Sequence, residues 1–144
     1  MFKSPLKSAE ELKVVFSGTE RQILLVEKCA EDYLQAIEGN DQISVKRRIH
    51  LTRSFDRYCH TKDHRLPEEK FKREGKFPDG NGTNVAVYVF KGWQYRIYGS
   101  EIVVKGIQSF VGVKTDPSKK GRKADQELLK ETAKIVGRLK EYKE

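Results

Sequence analysis

NVAVYVFKGWQYRIYGSEIVVKGIQSFVGVKTD, residues 84–116, decides how this chain folds. Val85, Val87 and Val89 alternate with Ala86, Tyr88 and Phe90, the pattern of a strand covered on both faces. Lys91-Gly92 reads as a tight turn, and Trp93 to Tyr98 as the partner strand of a hairpin that Gly99-Ser100 closes. Ile102–Val104 and Ile107–Lys114 extend the sheet, with a bend at Gly106, and Asp116-Pro117 stops it. Upstream, Leu12, Val14 and Phe16 suggest a short first strand that Ser17-Gly18 breaks.

Helices are expected around this sheet. Thr19 and Gln22 have capping-box spacing, which predicts a first helix carrying Ile23, Val26, Ala30, Tyr33, Leu34 and Ile37 on one face. Gly39 is placed as its left-handed stop. Val45, Ile49, Thr52, Phe55 and Cys59 predict a second helix, with Lys46, Arg47, Arg48, Arg53 and Arg57 mostly off the apolar stripe. Residues 60–84 are polar, and Pro67 could open a short helix that Gly75 closes. A last helix is expected from Lys123 to Tyr142, with Leu128, Thr132, Ile135 and Leu139 along its seam. Residues 1–144 thus read as a single α+β domain. A small antiparallel sheet would pack against an N-terminal helical hairpin and a C-terminal helix.

Charge narrows the partner class. Twenty-nine Lys and Arg against 21 Asp and Glu leave a net charge of +8, which favours phosphate-bearing partners through counterion release. Two cysteines, Cys29 and Cys59, make no disulfide framework. No signal core or membrane-length apolar run is present, so a cytoplasmic protein is expected. Cys59-His60 with His64 is half of a metal site without a second half, so neither metal nor other cofactor is expected. No GxSxG and no Walker loop occurs.

Three basic groups stand out. Alternation places Gln94, Arg96 and Tyr98 on one face of the hairpin and Trp93, Tyr95 and Ile97 on the other, with Trp93 and Ile97 read as core. A guanidinium and a phenol sharing an open face can clamp a phosphate and stack on a base. The same spacing also fits Arg96 paired with a carboxylate such as Glu101 and Tyr98 packed beneath a helix. KFKREGKF, residues 70–77, interleaves Lys70, Lys72, Arg73 and Lys76 with Phe71 and Phe77. Such a segment suits a single strand, or is a loop whose aromatics anchor it. Lys91 adds a cation at the hairpin turn, and Lys119, Lys120, Arg122 and Lys123 precede the last helix.

FKGWQYRIYG and SFVGVKTDPSKK, with the order strand, two helices, antiparallel strands, resemble the RelE/ParE superfamily of toxins from toxin-antitoxin systems, including its HigB-like branch. Arg96, Phe110 and Lys119-Lys120 match the family's arginine strand, phenylalanine strand and Lys-Lys pair, although Phe110 and Lys119 stand further apart than usual. The resemblance implies metal-independent, ribosome-dependent cleavage of mRNA, and a cognate antitoxin covering the basic face. Arg96, Tyr98, Lys70 and Arg73 would be the catalytic residues. Lys72, Lys76, Lys91, Lys119, Lys120, Arg122 and Lys123 would bind RNA. The alternatives are gyrase poisoning and a non-catalytic binder of nucleic acid or protein from a phage or mobile element.

Overall fold

A computed structural model describes residues 11–117 and 125–139. It is an α+β structure: one six-stranded mixed sheet and three helices. The elements are β1 (Leu12–Ser17), β2 (Gln22–Val26), α1 (Glu27–Ile37), α2 (Gln42–His60), β3 (Phe71–Pro78), β4 (Asn84–Gly92), β5 (Tyr95–Val104), β6 (Ile107–Asp116) and α3 (Gln126–Arg138). Their order across the sheet is β1-β2-β6-β5-β4-β3. All pairs are antiparallel except β2 with β6, which is parallel, so the expected all-antiparallel sheet is corrected to a mixed one.

The second strand replaces the first turns of the predicted first helix. Gln22 to Val26 is wholly buried, with β1 on one side and β6 on the other. An apolar run with no polar interruption has no solvent face for a helix to show, and it suits a strand covered on both faces. Gln22 donates its amide to Ser109 Oγ at 3.0 Å rather than capping a helix. The helix starts at Glu27 with no side-chain cap. Gly39 is not left-handed; a Cβ there would lie 2.6 Å from Oδ1 of Asp41, whose Oδ2 caps α2 by accepting from the Ser44 amide.

The short helix expected after Pro67 is strand β3, because pairing with β4 satisfies its backbone along its length. Lys70 and Phe71 still turn back on Pro67, both donating to its carbonyl. The hairpin turn lies two residues later than expected. Trp93 and Gln94 are its centre, both with positive φ, as a two-residue loop matched to strand twist requires. Gly92 instead ends β4, since a Cβ there would meet Leu51 of α2 at 2.7 Å. β5 runs unbroken through Gly99 and Ser100 to Val104.

The sheet is covered on both faces. Phe90 packs edge-on against Phe55 and Tyr58 of α2 and against Phe110, which fixes the face that α2 covers. Val85, Val87 and Val89 alternate to the other face and are at most 1 % exposed. Lys114 ties that opposite face to α3 through Glu131 at 3.3 Å. The last helix buries Leu129, Thr132, Ala133 and Val136, and Asp125 caps it by accepting from the backbone of Glu127 and Leu128. Leu139 is buried just past its end, while Tyr142 lies outside the described residues. Among the described residues no helix is long and apolar enough to cross a membrane.

Candidate nucleic-acid interface

Arg96 and Tyr98 do not share an open face. Arg96 is 4 % exposed and Tyr98 is fully buried, so the expected accessible hollow at these two positions is corrected. Tyr98 pairs across the ladder with Lys114, the lysine that meets α3, and directly opposite residues share a face. Arg96 lies on this face too, opposite Lys91 on one side and Asp116 on the other. Burial raises the Tyr98 phenol, and the neighbouring Arg96 guanidinium counters it. Among the described residues no group meets Tyr98 Oη in hydrogen-bonding geometry. Burial, then Arg96, pulls the half-buried Lys91 ammonium below its ordinary value. Lys72 reaches Glu74 at 4.0 Å. Three cations, Arg96, Lys72 and Lys91, therefore meet carboxylates here, Glu74 and Asp116 with Glu68 further out.

Trp93 is the second correction. Expected in the core, it is 39 % exposed, because its turn places it beyond the sheet's end. Lys46 Nζ stands 4.2 Å from its ring centroid, a cation–π distance. The His50 ring lies 5.7 Å away. Lys70 Nζ is 3.2 Å from His50 Nδ1. The Lys70 carbonyl accepts from the Lys91 amide at 2.8 Å, which ties the entry to β3 to the end of β4. Burial first, and then Lys70, Arg53 and Lys46, pulls His50 below the ordinary histidine value. The charged groups acting on His50 are all cations.

This basic rim comes from three elements that the fold brings to one end of the sheet. α2 supplies Lys46, His50 and Arg53, the turn before β3 supplies Lys70, and the β4–β5 turn supplies Trp93. The approach of Gly92 to Leu51 lets the hairpin tip slide under α2. An exposed indole ringed by cations can stack on a base while the cations track a phosphate backbone.

The other expected residues scatter. Lys70 belongs to the rim, and Lys72 and Lys91 to the charge cluster beside Arg96. Arg73 pairs with Tyr88, hence on the α2 face, while Lys76 is exposed further along β3. Lys119, Lys120, Arg122 and Lys123 lie outside the described residues. His50, Lys46 and Arg53 were missed as site residues. Their signal was basic side chains at helical spacing on α2, but no sequence rule links them to a turn forty residues later.

A separate cavity of about 360 Å³ lies nearer the C-terminal end of α2, among Arg21, Tyr58, His64, Glu101 and Gln108. Tyr58 donates its hydroxyl to Glu101 Oε2 at 2.7 Å. Burial and then Glu101 push the Tyr58 phenol far above its ordinary range. Arg21 donates to the carbonyls of Tyr58, Thr61 and Lys62, closing the end of α2. Burial raises both thiols, Cys59 to about 12 and Cys29 further, so neither is a nucleophile at neutral pH. No protein-family model matches the chain, nor does any curated protein or solved structure.

Proposed function

We propose that the basic rim binds single-stranded RNA. The observation that carries this reading is Trp93, an exposed indole with Lys46 at 4.2 Å and the His50–Lys70 pair beside it. A base stacks on Trp93, and Lys46, Arg53 and Lys70 neutralise the flanking phosphates. Trp93 is the only tryptophan in the chain, so its fluorescence reports on the rim directly. Titration with single-stranded RNA should quench it, with an affinity that falls steeply as salt rises. Unchanged emission under saturating RNA, or binding insensitive to salt, would remove this reading.

A second reading is an endoribonuclease toxin similar to RelE and HigB. One observation favours it, the contact between a lowered His50 and Lys70, although two strands rather than one precede the two helices. When a substrate phosphate draws Lys70 away, His50 Nδ1 is free to accept the 2′-hydroxyl proton. That oxygen attacks the adjacent phosphorus while the lysines stabilise the charged phosphorane. The 5′-oxygen leaves, taking a proton from the Lys70 ammonium or from water, and a 2′,3′-cyclic phosphate and a 5′-hydroxyl result. Arg96, buried on the face that α3 covers, then does not touch the phosphate. Ribosome-bound mRNA would be the substrate, and a cognate antitoxin would cover the rim. Expression in a host should arrest growth and His50→Ala relieve it; normal growth with the unaltered protein defeats the toxin reading and leaves RNA binding intact.

A further inference from the structure

The cavity at the C-terminal end of α2 is not part of the rim. His50 and Tyr58 are eight positions apart on one helix, about 12 Å at helical rise. Glu101 is exposed and presents a carboxylate with about four acceptor positions, of which the Tyr58 hydroxyl uses one at 2.7 Å and the Tyr88 hydroxyl a second. His64 lines the same cavity, and its Nδ1 accepts from the Leu66 amide at 3.2 Å. In the neutral ring that contact places the proton on Nε2. Burial, then Arg21, keeps the ring neutral by holding it below the ordinary histidine value. No described residue accepts from Nε2, so the cavity offers a carboxylate acceptor beside an N–H donor.

From this pairing we infer that the cavity is a guanine-binding subsite, an inference that rests on the RNA-binding reading above. Guanine carries two adjacent N–H donors, N1 and N2, next to the acceptor O6. A carboxylate takes both donors, and a neighbouring N–H reaches O6. Adenine reverses the pattern at its Watson–Crick edge, cytosine offers no ring N–H, and uracil supplies one donor where guanine supplies two. Ile102 and Val103 give the base apolar walls. Arg21 presents its guanidinium over Tyr58 at 5.3 Å from the ring, with three of its five N–H donors on carbonyls. Arg57 and Arg73 are both exposed and act on His64 and Tyr88, against the carboxylates of Glu101 and Asp63, and they are the cations that would meet a nucleotide's phosphate.

The test is titration of the full chain with guanosine, adenosine, cytidine and uridine 5′-monophosphates, followed by calorimetry and by the His64 ring signals in NMR. Guanosine monophosphate should bind about tenfold more tightly than the others and shift the His64 signals. Glu101→Gln keeps an acceptor for Tyr58 and should erase the preference. Lys46→Glu should weaken RNA at the rim and leave guanosine monophosphate affinity as it was. Equal affinities, a uridine preference, or a guanine preference that survives in Glu101→Gln overturns the subsite. RNA that still quenches Trp93 in that case leaves the rim standing; loss of all RNA binding overturns both.

Discussion

Two groups of cations meet at one end of the sheet, and they differ in what surrounds them. Beside α3, Arg96, Lys72 and Lys91 are buried or half-buried and face Glu74 and Asp116. Beside α2, Lys46, Arg53 and Lys70 crowd His50 and an exposed indole, and only cations act on that histidine. A guanidinium taken out of water is held by counter-charges and carries stability. Lys46, Arg53 and Lys70 make no ion pair among the described residues, and such cations are open to an anion. The distinction separates a structural arginine from a binding surface, although both read as basic residues near aromatics.

The largest test of this contrast is Arg96→Ala. Removing one member of a buried charge group should cost about 3–5 kcal/mol in urea unfolding. RNA affinity per folded molecule should barely change. A variant that keeps its stability and loses RNA would return Arg96 to the role of phosphate holder. Next comes Trp93→Gly. Trp93 has φ of 36°, a region glycine enters freely, so stability should hold or rise by about 1 kcal/mol. RNA affinity should fall by about 1–3 kcal/mol once no indole is there to stack, measured by polarisation of a labelled oligonucleotide. A fall in stability together with affinity would mean that the indole is structural.

Smaller effects sharpen the picture. Lys46→Ala and Arg53→Ala should each flatten the plot of log affinity against log salt by about 0.7 for every phosphate that is no longer neutralised, whereas Lys76→Ala should leave the slope unchanged. The smallest is a pH effect with opposite signs. His50 and His64 both titrate below the ordinary value when folded. As pH falls through that ordinary value, about 6.5, the unfolded chain takes up protons first, so stability declines until the folded values are passed. RNA affinity should rise over the same window, because a polyanion favours the imidazolium of His50. His50→Asn should remove the rise in affinity; a rise that persists would assign the proton to another group.

Much of the sheet was legible, because alternation in 84–116 is local. The second and third helices were legible for the same reason; the last starts three residues later than expected and ends at Arg138. What escaped was decided by distant neighbours. Gln22–Val26 imitates a helix start until β6 arrives beside it, and 67–74 imitates a helix until β4 pairs with its second half. The basic segment 70–77 was recognised, but the sheet splits it, sending Lys72 toward α3 and Arg73 toward α2. Arg96 was read as a phosphate clamp on one of two arrangements that its spacing allowed. Its burial, with Tyr98 on the face that α3 covers, agrees with the packed arrangement, although its countercharge is not Glu101, whose carboxylate takes the Tyr58 hydroxyl.

The parallel pairing of β2 with β6 sets an order on synthesis. Gln22 reaches Ser109 across 87 positions of chain. While the polypeptide emerges from its N-terminus, the apolar QILLV segment has β1 along one side and an empty hydrogen-bonding edge along the other until residues 109–112 are made. Closure of so long a loop is slow. A chain truncated before Ser109 would therefore carry a sticky strand edge and should aggregate rather than fold in part.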